Sequence, residues 1–76
     1  MTIILYTTSE CPMCQQVKKF LDDLGIPYEV RNAQEYASYL LSQGFMTVPL
    51  LEIDGVIYRV HSLSTLILIL QSHNLY

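Results

Sequence analysis

Apolar residues occur along the chain in short runs whose spacing is alternately typical of strands and of helices. Residues 3–6 are apolar at every position and are followed by hydroxyl residues, which predicts a strand buried on both faces. The segment from Pro12 to Gly25 has apolar residues at helical spacing and lysine–aspartate pairs four residues apart, which predicts an amphipathic helix. The apolar positions are Val17, Phe20, Leu21 and Leu24, and the pairs are Lys18 with Asp22 and Lys19 with Asp23.

The middle of the chain predicts a second strand and a second helix. Residues 28–30 read as a short strand, and Pro27 before them lacks a backbone donor, which favours the edge of a sheet. Asn32 is predicted to cap the second helix, with Glu35 completing a capping-box-like pattern and Gly44 ending the helix. The apolar positions of this helix are Tyr36, Ala37, Tyr39, Leu40 and Leu41.

A hairpin and a third helix complete the pattern. Asp54 and Gly55 separate two apolar runs, and this dipeptide between such runs is a strong signal for a two-residue hairpin turn. A last helix is predicted over residues 63–73, with Ser62 as its N-cap.

The element order is therefore β-α-β-α-β-β-α, which predicts one α/β domain over residues 1–76. We expect a four-stranded mixed sheet with a parallel, right-handed first βαβ unit, an antiparallel closing hairpin and helices on both faces. Hydrophobic residues make up 51% of the chain, which supplies the dense core that so small a domain needs and excludes intrinsic disorder.

Charge and hydropathy limit the classes of partner. Four Lys/Arg and seven Asp/Glu give a net charge of −3, and the cations form no stripe that could follow phosphates, so no nucleic-acid partner is expected. The longest apolar run, residues 66–70, is too short to span a bilayer, and the first residues show neither a basic region nor a cleavage site. We therefore expect no membrane association and a cytoplasmic location.

The chemistry of the chain is concentrated in its only two cysteines. Cys11 and Cys14 are separated by Pro12 and Met13, just after the first strand and at the start of the first helix. A helix N-terminus favours a thiolate over a thiol, although the carboxylate of Glu10 opposes this effect. The spacing predicts a redox-active disulfide in which Cys11 attacks a substrate disulfide and Cys14 resolves the mixed disulfide.

Two other interpretations of the cysteine pair are open. The cysteines could form half of a zinc site completed by His61 and His73, but these histidines are much farther apart than the three to five intervening residues usual in such sites. The pair could also be structural and inert, which is unusual for cysteines that open a helix. We expect the redox function and no metal.

Residues 6–14, the helix that follows them and the Thr47-Val48-Pro49 segment together resemble the glutaredoxin branch of the thioredoxin-fold family. The resemblance spans nearly the whole chain and implies a thioredoxin-like fold. It also implies that the Val48–Pro49 bond is cis and faces the active cysteines, and that Thr47, Val48 and Pro49 form a substrate-binding segment. In the family the residue before the proline pairs through its backbone with an extended peptide such as glutathione, which assigns that role to Val48.

Three further residues are assigned to the substrate or glutathione site. Tyr6 ends the first strand and either borders the site or lies in the core with its hydroxyl at the rim. Arg59 either receives a substrate carboxylate through its bidentate geometry or remains a solvated charge of the hairpin. Ser62 lies in the region after the last strand, where the family binds the carboxylate and amine of glutathione.

The chain departs from the family at positions that matter for glutathione. Residues 59–62 replace a Gly-Gly and a following Asp, and Phe45 with Met46 stands in place of Gln-Arg. Gly44 followed by Phe45 instead resembles the small redoxins that feed electrons to ribonucleotide reductase and are recharged by thioredoxin reductase. Those redoxins usually lack a proline after the first cysteine, which this chain has.

The resemblance predicts a dithiol, glutaredoxin-like thiol–disulfide oxidoreductase that reduces protein disulfides and glutathione mixed disulfides. Glutathione would be its co-substrate and no cofactor would be bound. The chain would act as a monomer, with ribonucleotide reductase a candidate partner. One alternative keeps this chemistry but draws electrons from thioredoxin reductase. Another, of a different class, is a dimer that holds an iron–sulfur cluster through Cys11 and two glutathiones.

Overall fold

Seven elements follow one another along the chain, and the computed structural model describes all of residues 1–76. Their order is the predicted one, and together they form a four-stranded mixed sheet with three helices. The elements are β1 (Ile3–Thr7), α1 (Pro12–Asp23), β2 (Glu29–Asn32), α2 (Ala37–Ser42), β3 (Leu50–Ile53), β4 (Val56–Arg59) and α3 (Leu63–Ser72).

The strands lie in the order β2-β1-β3-β4, so β1 and β3 are central and the other two are edges. β1 is parallel to β2 and antiparallel to β3, in a register that places Tyr6 opposite Leu50. Every residue of β1 and β3 is buried, as expected for strands covered on both faces. The edge position predicted for the second strand is confirmed, and β2 is largely exposed.

The side chains of the central strands alternate between two apolar clusters. Leu5 and Leu51 belong to an eleven-residue cluster that includes residues of α1 and α3. Their chain neighbours Tyr6 and Leu50 belong to a four-residue cluster that includes Leu40 of α2. This period-two alternation shows that both faces of the sheet are covered, as predicted.

The hairpin between β3 and β4 turns at the predicted dipeptide. Asp54 and Gly55 both have positive φ, 49° and 88°, as a type I′ turn requires. The Asp54 N–H donates to the Thr2 carbonyl at 2.9 Å, and its side chain accepts from the Thr2 N–H at 2.8 Å. The turn is thereby fixed to the residue that precedes β1.

The prediction for the start of the second helix was wrong. α2 begins at Ala37, and its N-cap residue Tyr36 makes no side-chain capping bond. The Asn32 carboxamide instead accepts from the Gln34 N–H at 2.8 Å, which closes a local turn after β2. Asn32 itself pairs with Thr7, so the second strand continues two residues beyond its predicted end and displaces the helix start.

The predicted features of the other two helices are confirmed with one exception. Ser62 caps α3 by accepting from the Thr65 N–H at 3.2 Å. Lys19 pairs with Asp23 at 3.5 Å, but Lys18 does not pair with Asp22. Asp22 accepts instead from a tyrosine hydroxyl beyond the helix at 2.9 Å. None of the three helices has the length and apolar character needed to span a bilayer.

Candidate active site

Cys11 and Cys14 lie at the start of α1, just after the loop that follows β1. They are joined by a disulfide, with their Cα atoms 5.2 Å apart. Pro12 occupies the first turn of α1, where its missing N–H removes no helical hydrogen bond. Cys11 is the N-cap residue, and its Sγ accepts from the Cys14 N–H at 3.1 Å. The sequence therefore places one sulfur at the positive end of the helix dipole.

The two sulfurs differ in their access to solvent. The Cys14 side chain is fully buried, whereas Cys11 is partly exposed and lines a surface cavity. A substrate can therefore reach Cys11 only, and Cys14 can act on the group that Cys11 has bound. This is the asymmetry that a two-step thiol–disulfide exchange requires.

A cavity of about 440 Å³ lies beside the cysteine motif. We call it the substrate cavity, after the role that the family resemblance assigns to Thr47, Val48 and Pro49. Three separate segments of the chain form it: the start of α1, the connection before β3 and the end of β4. It is lined by Met13, Thr47, Val48, Pro49, Arg59, Val60 and His61.

The connection before β3 presents unused backbone groups to this cavity. The Val48–Pro49 bond is cis, as the family resemblance implied. The N–H and C=O of Val48 make no hydrogen bond within the chain, whereas the Pro49 carbonyl accepts from the Val60 N–H at 3.2 Å. The Val48 backbone therefore has a free donor and a free acceptor for an extended substrate.

Arg59 is held at the rim of the same cavity by two contacts. Its Nη2 donates to the Gly44 carbonyl at 3.0 Å, and its guanidinium lies over the Phe45 ring, 4.7 Å from the centroid. Arg59 was assigned to the site from sequence, but these partners could not be predicted, because they lie fourteen and fifteen residues away in the chain.

A second cavity, of about 330 Å³, borders Cys11 directly. It is lined by Ser9, Glu10, Cys11, Pro12 and Gln15, of which only Glu10 is charged. The surface around the reactive sulfur therefore carries an acid in one cavity and the Arg59 cation in the other.

Tyr6 is not placed at the substrate site, which corrects the assignment made from sequence. Its side chain is fully buried in the smaller cluster, and it lines neither cavity. Its hydroxyl donates to Glu52 at 3.1 Å. Burial, with a further contribution from this hydrogen bond, raises the pKa of Tyr6 to about 12. Tyr6 therefore lies in the core, which was the other position considered for it from the sequence.

Ser62 is likewise not brought to the substrate cavity. Its hydroxyl caps α3 and also lies 3.3 Å from the Thr65 hydroxyl, so its hydrogen-bonding capacity is used within the helix start. The neighbouring His61 lines the cavity instead and is exposed.

A buried carboxylate on β3 was not predicted from the sequence. Glu52 is 9% exposed and accepts at one oxygen from Tyr6 at 3.1 Å and from Tyr39 at 3.0 Å. The hydrogen bond to Glu52 raises the pKa of Tyr39. The signal was available, because Glu52 interrupts a strand that is otherwise entirely apolar.

The histidines of the zinc interpretation lie in different environments. His61 is at the substrate cavity, and His73 Nε2 is 3.0 Å from the Tyr58 hydroxyl. The structure has no group of three or more His, Cys, Asp or Glu side chains arranged to hold a metal ion.

Comparison with protein families and solved structures gives consistent matches. The family model for glutaredoxin matches residues 3–58. A mutant of the thioredoxin-like protein BC3987 is 25% identical, with a TM-score of 0.78 over 99% of this chain and 97% of that chain. The NrdH-redoxin of Escherichia coli, described as glutaredoxin-like with a thioredoxin-like activity profile, is 26% identical, with a TM-score of 0.73 over 82% of this chain and 86% of that chain.

A buckwheat glutaredoxin in complex with glutathione is 22% identical, with a TM-score of 0.71 over 96% of this chain and 71% of that chain. At this identity the likeness concerns the fold alone. No curated protein matches the sequence. Together the structural matches confirm the thioredoxin-like fold that the sequence predicted.

Proposed function

The chain belongs to the glutaredoxin family, and from this membership we propose that it is a dithiol oxidoreductase that reduces disulfides through Cys11 and Cys14. The observation that carries the proposal is the position of the pair. The accessible sulfur caps α1, the buried sulfur lies one turn away, and a cavity with the free backbone groups of Val48 lies beside them.

The proposed reaction proceeds in two exchanges. The Cys11 thiolate attacks one sulfur of the substrate disulfide, a new S–S bond forms, and the other substrate sulfur leaves as a thiolate. The Cys14 thiolate then attacks Cys11 Sγ and releases the second substrate thiolate. Two electrons have passed to the substrate, its two thiolates take up protons, and the enzyme is left as the Cys11–Cys14 disulfide.

The backbone of Val48 would position the substrate for this attack. Its free N–H and C=O can pair with an extended segment around the substrate cysteine, as a strand pairs with a sheet edge. Thr47 and Pro49 lie on either side of it and line the same cavity. These three residues are therefore the proposed binding segment for glutathione mixed disulfides and protein disulfides.

We propose glutathione as the reductant that restores the dithiol. A second candidate, thioredoxin reductase, is supported by the likeness to the NrdH-redoxin and by two apolar side chains near the site. Phe45 and Met46 occupy positions where the family carries polar and charged residues that contact glutathione, and Met46 is 84% exposed. Ribonucleotide reductase is a candidate protein substrate under either reductant.

A coupled assay separates the two reductants. The oxidised protein is supplied with NADPH and either glutathione with glutathione reductase or thioredoxin reductase, and a small glutathione mixed disulfide is the substrate. We expect NADPH consumption in the glutathione system. Consumption only with thioredoxin reductase would overturn the choice of reductant but keep the oxidoreductase. No consumption in either system, from folded protein with two titratable thiols, would overturn both.

Two variants test the roles of the cysteines in the same assay. Cys14→Ser should retain turnover of small glutathione mixed disulfides, because these need only the accessible Cys11 and free glutathione. Cys11→Ser should lose all turnover, because the buried Cys14 is not accessible to substrate. Activity in Cys11→Ser would contradict the assignment of the nucleophile, and loss of all activity in Cys14→Ser would contradict the one-cysteine route.

We propose that the protein carries no resident cofactor. The residues of one chain do not fit an iron–sulfur cluster, because Cys11 is the only accessible cysteine and such clusters usually take four thiolate ligands. A shared cluster would need a second chain and two glutathiones. Anaerobic purification with glutathione should give colourless protein, and a brown protein with visible absorbance would establish the shared cluster instead.

A further inference from the structure

Arg59 is the cation of this chain that lines the substrate cavity, and it has no acidic partner. The chain has four cationic and seven acidic side chains. Lys19 is paired with Asp23 and Arg31 with Glu29, whereas Arg59 and Lys18 form no ion pair. Of these two unpaired cations, Arg59 lines the cavity. An arginine without a carboxylate in so acidic a chain leaves most of its donors unused.

The guanidinium of Arg59 is nevertheless fixed in place. One N–H donates to the Gly44 carbonyl at 3.0 Å, and the Phe45 ring supports the guanidinium plane from 4.7 Å. Arginine presents five N–H donors in a rigid fork, so further donors remain for a ligand. Because the side chain is already ordered, less conformational entropy is lost when a carboxylate binds.

Arg59 lies in the cavity where the residues next to the substrate cysteine would bind. Arg59 and Val48 line the same cavity, and the Val48 N–H and C=O are free. A peptide paired with Val48 would carry its neighbouring side chains past Arg59. The cavity that borders Cys11 is lined by Glu10 instead, so it would repel the same negative charge.

We propose that Arg59 is a specificity residue and that the preferred substrates are disulfides whose cysteine lies within a few residues of a carboxylate. The inference rests on the proposed function, because it concerns the substrate of the same exchange. The carboxylate could belong to an acidic side chain of a protein segment or to glutathione itself. An acidic peptide segment is favoured over glutathione, because the residues that the family resemblance assigns to glutathione binding are replaced here at positions 45–46 and 59–62.

Single-turnover reduction of synthetic peptides tests this proposal without any reductase. Each peptide carries one cysteine linked to a neutral pyridine thiol, whose release is followed by absorbance. The peptides are identical except for Glu, Gln or Lys placed two residues before or two residues after the cysteine. With the pre-reduced protein we expect the Glu peptide to react about two- to fivefold faster than the Gln peptide, within the range measured for exposed ion pairs, and the Lys peptide to react slowest.

Substitutions at Arg59 should change the order of the peptides. Arg59→Gln should remove the difference between the Glu and Gln peptides, and Arg59→Glu should invert the order in favour of Lys. Lys19→Glu is the matched control for Arg59→Glu, because it also replaces a cation by an acid, on the exposed surface of α1, and it should preserve the order. Raising the salt concentration should reduce the preference in the unsubstituted protein.

The outcomes distinguish this inference from the function on which it rests. Equal rates for all three peptides would overturn the inference and leave the oxidoreductase intact. No reaction with the Gln peptide would overturn the proposed function. A glutathione adduct of the same pyridine thiol forms the last arm. If Arg59→Gln slows this adduct but leaves the order of the peptides unchanged, the carboxylate is that of glutathione and the peptide class is excluded.

Discussion

A single acidic residue determines the polar contacts on one face of the sheet. Glu52 lies in β3 among apolar residues, and burying a carboxylate is unfavourable unless hydrogen bonds replace its water. Tyr6 and Tyr39 provide two such bonds to the same oxygen. Arg31 reaches the Tyr6 hydroxyl at 3.5 Å and lies over the Tyr36 ring at 4.8 Å. These contacts join α2 and β2 to the centre of the sheet.

The shifted pKa of Tyr6 predicts how stability depends on alkaline pH. Its pKa rises from 10.0 to about 12 on folding, because burial disfavours the phenolate and the neutral hydroxyl donates a hydrogen bond to Glu52. The native state therefore holds this proton more tightly than the unfolded state does. Its stabilising contribution is complete below pH 10 and is lost as the pH rises towards 12, by on the order of 2–3 kcal/mol.

Tyr6→Phe tests this prediction through urea unfolding at a series of pH values. The variant should be less stable at neutral pH by about 1 kcal/mol, because Glu52 loses a donor. It should also lose less stability than the unsubstituted protein between pH 10 and 12. Tyr76→Phe, at an exposed tyrosine, is the control that should behave as the unsubstituted protein does. An unchanged pH dependence in Tyr6→Phe would contradict the assignment.

At the scale of the elements, two residues with similar capping chemistry have different roles. Ser62 precedes a long apolar helix, and its hydroxyl binds the Thr65 N–H as predicted. Asn32 precedes a short helix with one buried residue, and its carboxamide closes a turn instead. The difference arises because Asn32 is also a strand residue paired with Thr7, and that pairing is not visible in the local sequence.

The capping role of Ser62 predicts a measurable loss on truncation. Ser62→Ala should lower the free energy of unfolding by about 1 kcal/mol, because it leaves a helix N-terminal N–H without its acceptor. Ser64→Ala, at an exposed position inside the same helix, should change it far less. Denaturant midpoints measure both. Equal effects of the two substitutions would show that the cap does not stabilise α3.

At the scale of the whole molecule, the two faces of the sheet are unequal. The face that carries α1 and α3 holds the eleven-residue cluster, and the face that carries α2 holds four buried residues together with the Glu52 network. Leu50 and Leu51 are adjacent in β3, both fully buried, and contribute to opposite clusters. The same substitution at these two positions therefore compares the packing on the two faces of the sheet.

This inequality predicts different costs for the same truncation. Leu51→Ala should destabilise the protein by roughly 2–5 kcal/mol, because its neighbours on long elements cannot close the space. Leu50→Ala should cost less, because the short α2 can shift towards the sheet. Since small domains have about 5–15 kcal/mol in total, Leu51→Ala should approach unfolding. Calorimetric melting temperatures measure the difference, and a larger effect at Leu50 would contradict this view of the core.

Local patterns in the sequence were sufficient for the fold and for part of the site. The cysteine pair and the hairpin turn each lie within a few residues, so their spacing located them. The resemblance to a known family located the Thr47-Val48-Pro49 segment and its cis bond. The contacts of Arg59 with Gly44 and of Tyr6 with Glu52 cross the structure from distant parts of the chain. Sheet register and helix placement determine such contacts, and neither can be derived from the spacing of apolar residues.

The capping of α1 by Cys11 gives the molecule an internal spectroscopic reporter. The Cys14 N–H donates to the same sulfur that reacts, at 3.1 Å. A thiolate accepts a stronger hydrogen bond than a disulfide sulfur does, because the acceptor is charged. The nuclear magnetic resonance frequency of this amide, and its rate of exchange with deuterated solvent, should therefore follow the redox state of Cys11 through each cycle without an added dye.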